Sequence, residues 1–356
     1  MKFYFVSNSD NGGGIAFNVA KLNKEISTLG FKSTAIYLNR ANVKVFYKAV
    51  FDEQNIMVYC TSIQTLYWAC LLTLCRLFVF KKTKIAQIIY HPRFIDPTIS
   101  LFRSLLNKLV RNIPLSNIYY YSDECVIASK LEIYSNVSND RIIGLASVYE
   151  DITSKEVELS YLNSNKFIIS TVGRFVDFKI GYLLAIINYV KTKKDLVLYV
   201  VGYGPKEELI KNAAGGADNI FLLGRLGIES TKYVVENSDL YVGMGTTLVD
   251  AVSVGTPAIV AIESSNQAIT TGYFGKSGGI SFGEFNIGTK YFSLIEFVDK
   301  AILNKNNIYC QQSKPWLKII SSHEKLSKIN IIYVLVLVIF IPIVSLIRKF
   351  EAKDYH

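Results

Sequence analysis

The chain has 356 residues, a formal net charge of +10 and a hydrophobic fraction of 50%, with a mean hydropathy of +0.26. This length favours two domains over a single hydrophobic core. The excess of lysine and arginine indicates an anionic partner, whereas the lack of an aromatic-basic module argues against nucleic acid, and five cysteines without a CxxC pair argue against a metal site.

A glycine cluster follows the first predicted strand. Residues 2–6 are apolar and lead into the glycine-rich residues 7–14, after which helical periodicity extends to about residue 29. Glycines at a strand-to-helix turn let backbone N–H groups approach a ligand at the positive end of the helix, which suits an anion. A tight turn that binds no ligand is the alternative.

The next apolar segment, residues 56–80, is interrupted by Gln64 and Arg76, so a buried strand and helix are predicted there rather than a membrane span. The predicted strand 85–90 then ends at His91. A histidine at the exit of a buried strand is a candidate for chemistry, and a hydrogen-bonded structural histidine is the alternative.

Residues 97–112 form a predicted amphipathic helix with a basic face around Arg103. Such a helix suits either a protein core with a solvated outer face or an anionic membrane surface. Polar, acidic residues at 151–165 predict a linker after the first α/β domain.

Strands and helices alternate regularly over residues 166–305, which predicts a parallel, doubly wound sheet. Ligands of such sheets bind at the carboxyl ends of the strands. The fold class predicted for the chain is therefore α/β, with two Rossmann-like doubly wound domains facing a cleft.

Charged and hydroxyl side chains occur at these strand ends. Arg174 and Lys179 are suited to hold a diphosphate, because a guanidinium grips two phosphate oxygens and an ammonium adds a point charge. Thr246 and Thr247 precede a helix whose amino terminus also attracts phosphate, and Asp250 in its first turn is able to accept two hydroxyls of a ribose. Solvated loop charges and a dipole-stabilising aspartate are the alternatives.

The last notable segment, residues 329–347, contains nineteen residues without a charge and has lysine or arginine on both sides. As a helix it measures roughly 28 Å, close to the hydrocarbon thickness of a bilayer. A hydrophobic, membrane-associated carboxyl-terminal helix is therefore predicted, with a buried core helix as the alternative.

An ordered set of motifs carries a family resemblance: GRFVDFK at 173–179, VVGYGPKEEL at 200–209, NIFLLGRL at 219–226 and GTTLVDAVSVGTPAIV at 245–260. Together with the glycine cluster and the strand that ends at His91, they resemble the retaining GT-B glycosyltransferases, especially family 4. The resemblance spans about residues 1–303. It implies transfer of a sugar from a nucleoside diphosphate sugar, without a metal or other cofactor.

The resemblance also implies a division of roles along the chain. Residues 1–150 are expected to bind the acceptor and residues 166–305 the donor, with a connecting segment at 306–328 before the membrane helix at 329–347. Candidate catalytic residues are His91, Arg174 and Lys179. The expected donor-binding residues are Gly13, Gly14, Gly173, Gly204, Arg225, Thr246, Thr247 and Asp250.

One position departs from the family pattern. The resemblance places the second acid of a paired-glutamate motif at Asp250, and the first acid, eight positions earlier, at Val242. Since that first acid ordinarily contacts hydroxyls of the donor sugar, its replacement by valine puts sugar identity and activity in question.

The function predicted from the sequence is a glycosyltransferase of polysaccharide biosynthesis. It would act on a lipid-linked or surface-polysaccharide acceptor at the cytoplasmic face of the cell membrane, anchored or associated through the carboxyl-terminal helix. Two alternatives remain open: a non-catalytic GT-B-fold membrane partner of another glycosyltransferase, and an epimerase acting on a soluble nucleotide sugar.

Overall fold

The structure is a computed structural model that describes residues 1–10, 14–40, 43–111, 113–129, 137, 139–160, 165–265, 267–275, 280–286, 289–304 and 314–351. The chain divides into two compact units. Unit 1 comprises residues 1–146 and 314–356, and unit 2 comprises residues 147–313.

The strands are β1 Lys2–Ser7, β2 Lys32–Tyr37, β3 Ile56–Cys60, β4 Thr83–Ile89, β5 Ile118–Tyr120, β6 Phe167–Arg174, β7 Leu196–Tyr203, β8 Ile220–Gly224, β9 Leu240–Gly243, β10 Ala258–Ala261, β11 Ile269–Tyr273 and β12 Phe292–Ser293. The α-helices are α1 Gly14–Thr28, α2 Val43–Val50, α3 Ile63–Phe78, α4 Pro92–Ile95, α5 Leu101–Val110, α6 Asp123–Ala128, α7 Asp177–Lys191, α8 Glu207–Ala214, α9 Ile228–Glu236, α10 Thr246–Ser253, α11 Leu294–Leu303, α12 Pro315–Ser322 and α13 Ile331–Glu351.

The sheet of unit 1 is parallel, with the strand order β2-β1-β3-β4-β5. Its central strands are buried along their length, as expected for a sheet that helices cover on both faces. The chain leaves β1 for β2 on one side and later returns to β3 on the other. The carboxyl ends of β1 and β3 therefore border the crevice where ligands of such sheets bind.

Arg76, which interrupts the apolar segment 56–80, connects neighbouring segments of unit 1 through hydrogen bonds. Arg76 of α3 is fully buried, and its guanidinium donates to the backbone carbonyls of Ala49, Val50, Asp52 and Gln54. These bonds satisfy a buried cation without a carboxylate. The predicted strand and helix correspond to β3 and α3.

The described part of the predicted connecting segment, residues 314–328, and the helix at the position of the predicted membrane anchor are part of unit 1. The Nζ of Lys318 donates to the carbonyl of Ile142, and the hydroxyls of Ser322 and Tyr119 lie 2.8 Å apart. Helix α13, at the position of the predicted membrane helix, packs on α3 and α5. Among the residues that the structure describes, no helix is both long and apolar enough to cross a membrane, so a membrane-spanning helix is not supported.

The sheet of unit 2 has the order β12-β11-β10-β9-β6-β7-β8. Strands β10, β9, β6, β7 and β8 are parallel, and β11 and β12 add an antiparallel edge. Helices α7 and α11 contribute to its main core, with Ile186 and Val298 completely buried. Two α/β units with parallel sheets therefore confirm that part of the predicted fold class.

The described part of the predicted linker, residues 151–160 and 165, lies in unit 2. Lys155 donates its backbone N–H to the carbonyl of Glu229, and Leu159 packs against Tyr199 and Val234. The Nζ of Lys232 also donates to the carbonyl of Ile152 at 2.5 Å. The polar composition of this segment reflects one exposed side of an ordered, packed stretch.

Candidate functional site

The candidate site of unit 2 lies at the carboxyl ends of β6 and β9. These two strands are neighbours, although the chain runs from β6 to β7 on one side and reaches β9 only later. The crevice outside such a reversal in strand order is where open α/β sheets bind their ligands. The turn after β6 carries Arg174 and Lys179, and the turn after β9 leads to Thr246 and Thr247.

Arg174 and Lys179 form a pair of like charges. Arg174 is exposed at the end of β6, and Lys179 is half-buried in the first turns of α7. Neither side chain has a hydrogen-bond or ion-pair partner among the residues that the structure describes. Two adjacent cations without a carboxylate are electrostatically unfavourable alone and complementary to a multiply charged anion.

The electrostatic consequence is visible at Lys179. Burial lowers the pKa of its ammonium below the usual value, and the neighbouring Arg174 guanidinium lowers it further. A bound anion would oppose both effects, because it gives the charged form a favourable partner. The folded protein thus holds Lys179 in a state that an anionic ligand stabilises.

Glycines fix the geometry of this turn. The Nζ of Lys179 lies over Gly173, where an added Cβ would be only 3.0 Å away. A Cβ on Gly204 would come within 2.6 Å of the carbonyl oxygen of Phe175. Gly204, which was predicted to approach a nucleotide, packs directly against the backbone of Phe175 in the β6–α7 turn.

The turn between β9 and α10 consists of Met244 and Gly245 only. Gly245 has a φ of 76°, which favours glycine, and directs the chain into α10. The hydroxyl of Thr247 accepts from Tyr241 at 2.6 Å and donates to the carbonyl of Met244 at 3.1 Å. Thr246 has no hydrogen-bond partner among the described residues. Of the two threonines, Thr246 is thus the one available to a ligand.

Asp250 is buried, with 4% of its surface exposed. Its Oδ1 accepts from the hydroxyl of Ser147 and from the backbone N–H of Val148, both at 2.8 Å. Burial raises the pKa of the carboxyl to about 6, although these donors oppose the shift. The carboxylate predicted to hold a ribose thus attaches the first residues of unit 2 to α10.

The resemblance assigns the first acid of the family motif to the position of Val242. Val242 lies inside β9, is completely buried and pairs with Ile259. Because only two residues connect β9 to α10, counting eight positions back from Asp250 reaches the strand rather than the turn after it. Val242 is a core residue of β9 in this chain, and whether the missing acid affects sugar recognition stays a prediction.

Arg225 stands at the exit of β8 and stacks on an aromatic ring. Its guanidinium carbon lies 5.0 Å from the ring centroid of Tyr203, which follows the buried part of β7. Both side chains are exposed. The pair forms a flat, cationic platform, and such a surface is suited to stack against a planar ring.

Two acidic residues at this edge were missed by the sequence interpretation. Glu263 follows strand β10 and is 8% exposed, and Glu284 is 6% exposed. The backbone N–H of Glu263 donates to the carbonyl of Gly283, and that of Gly245 to the carbonyl of Phe282. The position of Glu263, one residue after the apolar run 258–262, was the signal available in the sequence.

In unit 1, His91 lies two residues after the end of β4, and Gly14 is the first residue of the helix that follows β1. His91 is the N-cap of α4, and its Nδ1 accepts from the backbone N–H of Arg93 at 3.1 Å. Gly14 begins α1, and Asn18 donates to its carbonyl. Gly13 lies outside the described residues. The described residues contain no group of three metal-ligating side chains.

Comparisons with known proteins agree with this architecture. Residues 166–279 match the family described as glycosyl transferases group 1. An uncharacterized glycosyltransferase of Methanocaldococcus jannaschii is 31% identical over 185 residues. That match covers 48% of this chain and 43% of the relative, so less than half of the relative's length is represented.

Solved structures extend the similarity to the whole fold. A lipopolysaccharide outer core galactosyltransferase superposes with a TM-score of 0.51, 13% identity and coverage of 96% of this chain and 99% of that chain. A sucrose-phosphate synthase from Thermosynechococcus elongatus gives a TM-score of 0.50, 11% identity and 99% coverage of both chains. The two structures show the fold, and together with the family match and the relative they confirm the resemblance to GT-B glycosyltransferases.

Proposed function

We propose that this chain, whose residues 166–279 match the group 1 glycosyl transferases, transfers a sugar from a nucleoside diphosphate sugar to a lipid-linked or surface-polysaccharide acceptor. The observation that carries the proposal is the pair Arg174 and Lys179 at the crevice of unit 2. A diphosphate supplies the negative charge that both side chains lack, and the amino terminus of α10 with Thr246 adds further donors.

These groups also suggest how the reaction is promoted. When the bond from the sugar to the diphosphate breaks, negative charge develops on the leaving phosphate oxygen. Fixed cations and helix N–H groups stabilise that charge without reorganisation. We infer that transfer proceeds without a metal ion and with retention of configuration, and that the Arg225–Tyr203 platform stacks against the base. Activity that persists in EDTA would support the first inference.

The decisive binding experiment is calorimetric titration of the purified protein with UDP. We expect Arg174→Ala and Lys179→Ala each to weaken binding by about 100-fold, since a charge-assisted hydrogen bond contributes roughly 1.5–3 kcal/mol. Lys193→Ala is the matched control, because Lys193 precedes β7 at the opposite edge of the sheet. Equal affinities in all three variants would exclude a role of Arg174 and Lys179 in binding the diphosphate. Titration with other nucleoside diphosphates identifies the base.

Transfer itself is measured with membranes and labelled nucleotide sugars. We expect label to enter a lipid-extractable or polysaccharide fraction with the wild-type protein and to be lost with Arg174→Ala. The outer face of α13 exposes Ile332, Ile339 and Ile343, which supports association with the cytoplasmic face of the cell membrane. Replacing Ile339 with Asp should release the protein into the soluble fraction.

A non-catalytic membrane partner of another transferase is the second candidate. The observation that favours it is Asp250, whose carboxylate already binds Ser147 and Val148. UDP binding by the wild-type protein without transfer or hydrolysis of any nucleotide sugar would support this candidate. Hydrolysis of a donor that is lost in Lys179→Ala would exclude it.

A further inference from the structure

The turn between α3 and β4 exposes two aromatic rings. Phe78 is the last residue of α3 and is 85% exposed, and Phe80 is 96% exposed. Single exposed apolar side chains are ordinary features of a protein surface, whereas neighbouring ones form a patch that indicates an external contact. We call residues 77–82, which contain both rings and end in two lysines, the aromatic turn.

The backbone of the aromatic turn favours glycine at the position of Phe80. The N–H of Phe80 donates to the carbonyl of Leu77 at 3.0 Å, and the N–H of Lys81 donates to that of Arg76 at 2.8 Å. These two bonds form a Schellman motif, in which the residue after the C-cap is left-handed and usually glycine. Phe80 occupies that position with a φ of 57°. The chain gains neither an unstrained backbone nor internal packing from this ring, so its role lies in a contact outside the fold.

The aromatic turn lies at the same edge of the sheet as the start of α13. Helices α3 and α5 each lead into the next parallel strand, so both end at the amino-terminal edge of the sheet. The hydroxyl of Tyr333, in the first turn of α13, donates to the carbonyl of Leu109 near the end of α5. The exposed side chains of Ile332 and Leu335 therefore lie towards the same edge of unit 1 as the aromatic turn.

The helices on this side of unit 1 are almost free of acidic residues. Helix α13 packs on α3 and α5, and the three contain no Asp or Glu before the last residue of α13, although the chain has 29. Lys81 and Lys82 have no ion-pair partner among the described residues, and Lys82 is exposed. The segment that Arg76 binds contributes Asp52, which is already in an ion pair, and the exposed Glu53. The excess of positive charge favours an anionic partner.

An anionic bilayer fits both the shape and the charge of the aromatic turn. A side chain that is almost completely exposed projects from the surface, so a protein partner would need a groove to cover it. A bilayer accepts projecting rings without a groove, because aromatic and aliphatic side chains enter the boundary between headgroups and hydrocarbon. Lysines beside these rings gain from the negative surface potential of anionic lipids.

We propose that the aromatic turn inserts Phe78 and Phe80 into the interfacial layer of an anionic phospholipid bilayer, with Lys81 and Lys82 against the headgroups. The proposal rests on the membrane location of the function proposed above. It adds the segment that enters the bilayer and the lipid charge that attracts it, and it does not depend on sugar transfer.

The first test measures binding of the full chain to vesicles by sedimentation. We expect vesicles of equal parts phosphatidylcholine and phosphatidylglycerol to bind about 10-fold more tightly than phosphatidylcholine alone, and the difference to shrink at high salt. The double variant Phe78→Ser, Phe80→Gly should lose about 10-fold in affinity for the mixed vesicles, because it removes both rings. Leu209→Ser is the matched control, because Leu209 of α8 is 47% exposed and lies in unit 2.

Phe80→Gly alone separates a bilayer contact from a role in the fold. Glycine suits the φ of 57° and the ring is exposed, so the thermal unfolding temperature should not fall. Vesicle binding should fall all the same. A lower unfolding temperature with unchanged vesicle binding would overturn the proposal, because it would give the ring a structural role.

The lysines are tested by combining Lys81→Gln with Lys82→Gln. We expect about 5-fold weaker binding to the mixed vesicles for each charge removed, and no change with phosphatidylcholine alone. Lys193→Gln with Lys194→Gln is the control, since these exposed lysines lie in the corresponding turn between α7 and β7 of unit 2. Equal losses in both pairs would show that net charge alone attracts the chain, and would overturn the assignment to the aromatic turn.

Phe80→Trp measures insertion directly. When mixed vesicles are added, its emission should shift to shorter wavelength by more than that of the wild type, whereas Leu209→Trp should add no shift. An unshifted Phe80→Trp would overturn the proposal. So would vesicle binding that is lost only in Ile339→Asp, because the membrane contact would then belong to α13.

Two further outcomes separate this surface from other contacts and from the donor site. If Phe78→Ser, Phe80→Gly converts a dimer to a monomer without loss of vesicle binding, the turn joins copies of the chain and the proposal fails. Vesicle binding through the turn without UDP binding would keep the aromatic turn and remove the transferase function. The reverse result would remove the aromatic turn and keep the donor site.

Discussion

Two strand exits of the same sheet differ in how their charges are satisfied. At the exit of β6, Arg174 and Lys179 have no partner among the described residues, and burial beside a like charge lowers the pKa of Lys179. After β9, Asp250 accepts two internal hydrogen bonds and is nearly inaccessible. Position at a sheet edge therefore does not identify a ligand contact. A charge left without an internal partner is the stronger indication.

The largest expected effect concerns Asp250, whose pKa is raised from 3.8 to about 6 in the folded protein. Because the carboxyl pKa is raised, the folded state keeps this proton to a higher pH than the unfolded state does. The free energy of unfolding therefore falls as the pH rises from 3.8 to about 6. The shift corresponds to about 3 kcal/mol of unfolding free energy.

Asp250→Asn keeps an acceptor for Ser147 and Val148 and removes the titration. Its stability relative to the wild type should therefore increase by about 3 kcal/mol between pH 4 and pH 7, measured by urea unfolding. A difference that does not vary with pH would mean that the carboxyl titrates normally. The same variant tests a ribose contact, since unchanged UDP affinity at pH 7 assigns Asp250 a structural role.

Gly204→Ala should distort the cationic exit without removing a charge. The added methyl group would lie 2.6 Å from the carbonyl oxygen of Phe175, so the β6–α7 turn must shift. We expect UDP affinity to fall about 10-fold, with a stability loss of about 1–3 kcal/mol. Gly216→Ala is the control, because Gly216 has a φ of 70° and no atom within 4 Å of an added Cβ. A similar loss of UDP affinity in Gly216→Ala would argue against a role of the β6–α7 turn in UDP binding.

We expect Thr246 and Thr247, which follow β9, to differ in role: one affects UDP binding and the other affects stability. Thr247→Val removes the acceptor of the Tyr241 hydroxyl and should cost about 1 kcal/mol of stability with little change in UDP affinity. Thr246→Val should do the reverse, because its hydroxyl is the one without a partner among the described residues. Thermal unfolding and calorimetry on both variants check this. Loss of affinity in Thr247→Val alone would reverse the assignment.

The apolar runs in the sequence predicted both parallel sheets. A strand that helices cover on both faces is apolar along its whole length, so it appears in the sequence as an unbroken apolar run. The cations at 174 and 179 were proposed for a related reason: Arg174 ends such a run, and Lys179 lies in the helix that follows it. The internal hydrogen bond from Ser147 to Asp250 and the burial of Val242 could not be predicted, because both depend on the folded chain rather than on neighbouring residues in the sequence. Arg76 was likewise invisible as a core residue, since its partners are backbone carbonyls.

The smallest expected effect is the change in stability of Lys179→Met, and its sign separates a ligand contact from a role in the fold. Lys179→Met removes a cation whose pKa is lowered by burial and by Arg174, so the charged form destabilises the ligand-free protein at neutral pH. The variant should therefore unfold at a higher temperature than the wild type while binding UDP far more weakly. With saturating UDP the order should invert, because only the wild type gains stability from the ligand. A variant less stable than the wild type in both conditions would show that Lys179 serves the fold, and the contrast between the two strand exits would disappear.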